Sequence, residues 1–189
     1  MELLARIREV FAADRPLVEP ADFALFYEQT HAVVFRYAYM LHGGGHADVE
    51  DCAAEAYARA WRHRHKFSGD QEAALGWIIT IARRIVIDQQ RRQRSFWAAS
   101  AKQQPATAAS PEQEALLRER EQLALDLLAQ VPLAQRDLLI MRYFLGWRVQ
   151  AIASHLGRSE GAVSVSLHRA LRALQARHPG VGEGLFHGA

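Results

Sequence analysis

Apolar residues recur at intervals of three and four along nearly the whole 189-residue chain, and no run of alternating β-branched residues bounded by turns breaks that rhythm. The spacing predicts an all-α fold, with helices over residues 3–13, 20–41, 47–64, 72–94, 111–130, 133–145, 149–156 and 160–177. Breakers fall between them: the glycines at 43–45, Ser68-Gly69-Asp70, Pro132, Gly146 and Gly157. Residues 96–111 are small, polar and proline-interrupted, the composition of a flexible linker. The expected layout is therefore an N-terminal helical domain over 1–95, the linker over 96–111, a C-terminal helical domain over 112–177 and a frayed tail over 178–189. At about 150 residues per domain, the length admits one or two such units.

Composition serves mainly to exclude. Half of the residues are apolar, enough for packed cores, so collagen-like and wholly disordered chains are ruled out. The one cysteine, Cys52, can make neither an internal disulfide nor a multi-cysteine zinc site, which points to a reducing compartment, by default the cytoplasm. The longest apolar stretch, residues 73–82, includes Gly76 and Thr80 and stops at Arg83 and Arg84, short of the roughly 20 residues a membrane span needs. Residues 1–16 mix charges with apolar side chains, unlike an export signal.

Charge is informative by position. The formal total is +2, yet residues 1–58 hold four arginines against ten carboxylates, a net of −6. Residues 83–102 hold six basic groups against Asp88, and residues 142–177 hold six arginines against Glu160, each a net of +5. Two basic patches behind an acidic front suggest two contacts with a polyanion and one surface meant for something else. Of 23 basic residues 21 are arginine, which suits phosphate and base-edge contacts, although an arginine-rich genome gives the same ratio.

The segment Val149-Gln-Ala-Ile-Ala-Ser-His-Leu-Gly157-Arg-Ser-Glu-Gly-Ala-Val163 has helix-turn-helix spacing. Ala153 lets two helices cross closely, Gly157 makes the turn, and Val163 plugs the second helix back onto the first. In that second helix Val163, Leu167, Ala170, Leu171 and Leu174 share one face, leaving Gly161, Val165, His168, Arg169 and Arg172 on the other. Such an outer face suits a major-groove reader; an ordinary helical hairpin with a solvated arginine face is the plain alternative.

In the helix expected over 72–94, Trp77, Ile78, Ile81, Ala82, Ile85 and Val86 are expected to be buried, opposite Thr80, Arg83, Arg84, Ile87, Arg91 and Arg94. The preceding loop, Lys66-Phe67-Ser68-Gly69-Asp70, is suited to holding an unstacked base, though Phe67 is equally compatible with a core. In the helix expected over 47–64, Asp48, Asp51 and Glu55 fall within about 60° of one another, opposite Val49, Ala53, Ala56, Tyr57, Ala60 and Trp61. An exposed acidic row repels DNA, so it fits a protein partner; a solvated face with an internal Glu55–Arg59 pair is the alternative.

Taken together, these segments resemble the sigma-70 family, in particular the group four or extracytoplasmic-function sigma factors that keep only regions two and four. Val49-Glu-Asp-Cys-Ala-Ala-Glu55-Ala-Tyr57-Ala-Arg-Ala-Trp61-Arg is similar to the family's region 2.2. Trp77-Ile-Ile-Thr-Ile-Ala-Arg-Arg84-Ile-Val-Ile-Asp88-Gln-Gln-Arg91-Arg92 is similar to regions 2.3 and 2.4. Val131-Pro132-Leu-Ala-Gln135-Arg136, then Met141-Arg-Tyr-Phe144 and the helix-turn-helix, resemble region 4. Departures are Arg84 for the usual Asn, Ala54 for Gln, Ala151 for Glu, and Ser164 and Ser166 where basic residues are common.

The resemblance implies a protein that catalyses nothing and uses no cofactor or metal. Its partners would be core RNA polymerase and promoter DNA, with room for an anti-sigma factor and no insertion into a membrane. It implies minus-ten contacts by Phe67, Ser68, Thr80, Arg83, Arg84, Ile87, Asp88, Arg91 and Arg94. Minus-thirty-five contacts fall to Arg158, Ser159, Glu160, Gly161, Ser164, Val165, His168, Arg169 and Arg172. Polymerase contacts fall to Asp48, Asp51, Glu55 and Arg62.

Two rival readings stand beside it. One is a free-standing helix-turn-helix regulator that binds a palindrome without polymerase. The other, a metallo-hydrolase built on Asp48, Asp51 and Glu55, lacks ligands from a second element. His63 and His65 diverge on a helix, and the glycines at 43–45 lack the lysine of a phosphate-binding loop.

Overall fold

The computed structural model describes residues 17–43, 46–97 and 125–177, without the side chains of 46, 47, 71, 72, 93–97 and 177. The chain divides into two units, one within residues 2–107 and the other within 108–189. The described residues of both are helices and turns, as the periodicity predicts. The helix expected over 3–13, the tail over 178–189, most of that over 111–130 and the linker beyond Trp97 lie outside the described residues.

The first unit is built of α1 (Pro20–His42), α2 (His46–His63) and α3 (Gln71–Trp97), each packed on the other two, with a 3-10 turn at Arg64–Lys66. Proline at the start of α1 suits a position whose N–H has no helical partner. Phe26, Val33, Val34, Tyr37, Ala38 and Leu41 of α1 are buried. They meet a small-residue face of α2, where Val49, Cys52, Ala53, Ala56 and Ala60 keep the helices close. The Thr30 hydroxyl donates to the Phe26 carbonyl at 2.6 Å, so the Tyr57 hydroxyl, 2.8 Å away, donates to Thr30. This satisfies both buried hydroxyls.

Helix α3 departs from expectation in two ways. It runs to Trp97, into the expected linker, because Ser95, Phe96 and Trp97 are all tolerated in a helix and the next proline along the chain is Pro105. It is also rotated: Ala74, Leu75, Ile78, Ile79, Ala82 and Val86 are buried, whereas Trp77, Ile81 and Ile85 are only half-buried. Two glutamines explain the rotation. The Cys52 thiol donates to Gln89 Oε1 at 2.6 Å, and Gln90 Nε2 donates to the carbonyls of His42 at 2.8 Å and Leu41 at 3.2 Å. On a helical wheel that counts apolar residues alone, Gln89 falls between Ile78 and Ala82, while Gln90 lies outside the expected buried face, on the side toward which the helix has turned. Trp61 of α2 is likewise half-buried, edge-on to Phe23 at 5.0 Å and covered by the Arg64 guanidinium at 3.5 Å.

In the second unit a helical turn over 125–129 leads to α4 (Leu133–Leu139), a π-helical turn (Ile140–Phe144), α5 (Val149–Leu156) and α6 (Glu160–Arg177). The single α-helix expected over 133–145 is thus two segments. The Leu145 N–H reaches Ile140 O at 3.0 Å and the Trp147 N–H reaches Met141 O at 3.0 Å. Residues 136–141 are all buried, so this stretch has no solvent side and acts as the central helix. Arg136 donates through Nη2 to the carbonyls of Ala129 at 2.9 Å and Val131 at 3.3 Å, closing the end of the preceding helical turn.

Candidate nucleic-acid interfaces

The loop before α3 is fixed from both ends. The Asp70 carboxylate accepts the Ala73 N–H at 2.8 Å and so caps the helix. Gly69 has φ 154°, and a Cβ there would stand 2.9 Å from the Ala73 Cβ and 3.3 Å from the Phe67 ring. That tight path lays Phe67, half-buried, on Trp77 with ring centroids 5.0 Å apart and planes 23° off parallel. Phe67 is therefore neither core nor free: it is one plate of an aromatic stack at the surface, with Ser68 exposed beside it.

Trp77, Arg84 and Arg91 are spaced by seven residues, so they line one side of α3 within about 40°. Arg84, Asp88 and Arg91 are exposed, while Thr80, Arg83 and Ile87 are half-buried at the flanks. The Thr80 hydroxyl donates to Gly76 O at 2.9 Å. The Arg94 side chain lies outside the described residues. The surface the structure assembles is thus the Phe67–Trp77 stack followed by Arg84 and Arg91, and Trp77, expected in the core, belongs to it.

On α2, Asp51 and Arg62 are exposed and Asp48 and Glu55 half-buried. Glu55 Oε1 accepts from Arg59 Nε at 2.6 Å and from Arg62 Nη2 at 3.3 Å. The hydrogen bond from Arg59, then the charges of both arginines, hold the Glu55 carboxyl below its usual range. Glu55 is thus paired first with Arg59, the internal pair that the solvated-face alternative expects, and more loosely with Arg62, and Asp51 is the exposed carboxylate of the row.

The helix-turn-helix is closed by a Schellman turn: the Arg158 N–H reaches Ala153 O at 2.9 Å and the Gly157 N–H reaches Ser154 O at 3.2 Å. Gly157 is left-handed, φ 62°, with open space around it, so backbone geometry alone demands glycine. The Ser159 hydroxyl accepts the Ala162 N–H at 3.3 Å, capping α6. Val163, Leu167, Ala170 and Leu174 are buried as expected, with Leu171 half-buried instead. Arg158, Ser159, Glu160, Gly161, Ser164, Val165, His168, Arg169 and Arg172 are all exposed.

One feature escaped the sequence reading. Tyr27, His31, Phe35 and Tyr39 form a ladder down α1, with centroid separations of 4.8, 6.3 and 6.2 Å, and Tyr27 meets Tyr57 at 4.7 Å. Four aromatic rings at intervals of four were its signal. Among the described residues no cluster of three or more His, Cys, Asp or Glu is placed to hold a metal, and no helix is long and apolar enough to cross a membrane.

Comparison with known proteins finds relatives of both units. The family described as Sigma-70 region 2 matches residues 26–96, and Sigma-70, region 4 matches residues 121–174. The chain is 32% identical over 174 residues to the ECF RNA polymerase sigma factor SigL of Mycobacterium tuberculosis, covering 91% of this chain and 94% of that one. It is 29% identical to the ECF RNA polymerase sigma factor BldN of Streptomyces coelicolor, over 90% of this chain and 65% of the other. The fold is like that of the sigma factor RpoE solved with the anti-sigma factor NepR from Bartonella quintana. That likeness has a TM-score of 0.67 at 21% identity and covers 82% of this chain and 95% of that one.

Proposed function

This chain belongs to the extracytoplasmic-function sigma factors of the sigma-70 family, which direct promoter-specific initiation by core RNA polymerase, and from that premise we propose that it divides the work between its two units. In the first unit, Arg84 and Arg91 of α3 follow the phosphates of the minus-ten element, with Thr80, Arg83, Ile87, Asp88 and Arg94 at the margins of the contact. The loop with Phe67 and Ser68 receives a base turned out of the duplex, whose unstacking costs a few kcal/mol that a stacking surface offsets. In the second unit, α6 enters the major groove of the minus-thirty-five element through its exposed face. Two modest contacts joined through polymerase act as one strong one by effective concentration.

The observation that carries this division is the surface of α3, where an aromatic stack and two exposed arginines share one side of a helix whose other side is core. Melting needs a stacking plate next to backbone cations, and the first unit has both. Polymerase is met by α2, chiefly through Asp51 with Asp48, with Glu55 and Arg62 beside them. The protein performs no chemistry of its own, needs no cofactor, and acts in the cytoplasm beside polymerase. An anti-sigma factor is its expected regulator.

The test is transcription by purified core polymerase, with and without this chain, on a library of promoters. Selective initiation that depends on the chain supports the reading. Tight binding to a palindrome by the isolated chain, with no effect on core transcription, refutes it in favour of a free-standing regulator.

A further inference from the structure

The outer face of α6 lacks cations where it meets the turn: from residue 160 to 168 its charged groups are Glu160 and, when protonated, His168. Arg169 and Arg172 lie beyond. A guanidinium nevertheless rests on that stretch. Arg158, in the turn, sends Nη2 to Ser166 Oγ at 3.0 Å and to Ala162 O at 3.4 Å. Ser166 spends its own proton on Ala162 O at 2.7 Å, which leaves its lone pairs to accept from the arginine. Arg158 stays exposed, and among the described residues the hydrogen bonds of its guanidinium both run through Nη2.

We propose that Ser166 is a positioning residue of the helix-turn-helix, which lays the guanidinium of Arg158, one of the expected minus-thirty-five contacts, across the first turns of α6. This rests on the reading of α6 as the duplex-facing helix. The arrangement moves a cation from the helix to the turn and holds it by side chain. Gly161, with no side chain and open space around it, leaves the path to a phosphate or base edge clear. A tethered arginine has already given up part of its rotamer freedom, and its planar fork keeps donors for a bidentate contact.

The test uses holoenzyme, reconstituted from the full chain and core polymerase, on duplex promoter DNA across a salt series. Circular dichroism checks that each variant folds. Arg158→Ala is expected to weaken binding about three- to tenfold and to lower the salt slope by about one unit. Ser166→Ala keeps the charge but frees it, so affinity should fall about threefold with the slope unchanged, and Ser166→Thr should restore it. In the Arg158→Ala background, Ser166→Arg should bring the slope back, because the charge returns to the same place. Arg172→Ala serves as the reference. If it weakens binding while Arg158→Ala changes neither affinity nor slope, the role of Arg158 is overturned and α6 remains the reader. If both are silent, the α6 reading falls and this inference with it. If Ser166→Ala matches the parent protein, Ser166 positions nothing.

Discussion

The exposed faces of α3 and α6 are both basic and both lie opposite an aliphatic core, yet they are assembled differently. On α3 the cations belong to the helix itself, with Arg84 and Arg91 seven residues apart in line with Trp77. On α6 the first turns carry no arginine or lysine of their own, and one is laid across them from the turn by the Arg158–Ser166 hydrogen bond. The first kind of surface survives small shifts of a loop, because it depends only on helical register. The second depends on the turn at Gly157, whose left-handed backbone sets where Arg158 starts.

The largest expected effect comes from reversing charge on each face in turn. Arg84→Glu together with Arg91→Glu replaces two phosphate contacts by two repulsions, and open-complex formation should drop about a hundredfold at low salt. The loss should ease as salt rises, and core association measured by pull-down should hold. Arg172→Glu should instead weaken upstream binding about tenfold and leave opening, once bound, nearly unchanged. If both variants fail at the same step to the same degree, the two faces do not have separate tasks.

A smaller effect tests whether the acidic surface is distinct from either basic face. Asp51→Arg is on an exposed position of α2, so it should spare the fold and weaken core association about tenfold. Promoter defects should then vanish at saturating core. Persistence of the defect at saturation would place Asp51 at the DNA instead.

The same contrast explains what was legible in the sequence. The bounds of α5 and α6 and the inward residues Val163, Leu167, Ala170 and Leu174 follow from apolar spacing and from Gly157, because two short helices that bury one stripe each obey a simple wheel. The orientation of α3 did not, because it packs on two neighbours and draws Gln89 and Gln90 inward to a thiol and to the end of α1. Apolar spacing puts Trp77 on the core face, whereas its stack with Phe67 depends on how Gly69 bends the loop. The π turn at Ile140–Phe144 left no pattern to read, since every residue from 136 to 141 is buried whatever the helical period. The Arg158–Ser166 contact spans eight residues across a turn, beyond any helical spacing rule.

A modest gain should follow from giving α6 a cation of its own. Ser164 is exposed near Gly161 and Val165, so Ser164→Arg adds charge to the same face without touching the core. Upstream affinity should rise about threefold and the salt slope by about one unit, with core binding unchanged. No change in either quantity would mean that position 164 points away from the duplex and that the register assigned to α6 is wrong.

The smallest expected effect separates the two units by their response to alkali. Cys52 links α2 to α3 through Gln89, behind the acidic row and beneath the α3 arginines. Burial, then the charges of Asp48 and Asp51, push its thiol up from an ordinary 9.0 to about 11. Burial also lifts the Tyr57 phenol above its usual range. Both groups hold their protons more tightly in the folded chain than in the unfolded one. The Cys52 contribution to stability is therefore complete below pH 9 and drains away as pH rises through about 11, with Tyr57 adding to the loss at the upper end. Among the described residues both raised groups are in the first unit, so the α3 surface should lose its support before α6 does. The urea midpoint of the full chain, followed across that window, should fall less steeply in Cys52→Ala than in the parent protein. Below pH 9, iodoacetamide should modify the native thiol far more slowly than the urea-unfolded one, since the thiolate is the reacting form. Equal alkylation rates, or an alkaline slope that Cys52→Ala leaves untouched, would show that the thiol is not held by the α2–α3 contact and that the alkaline response of the first unit has another source.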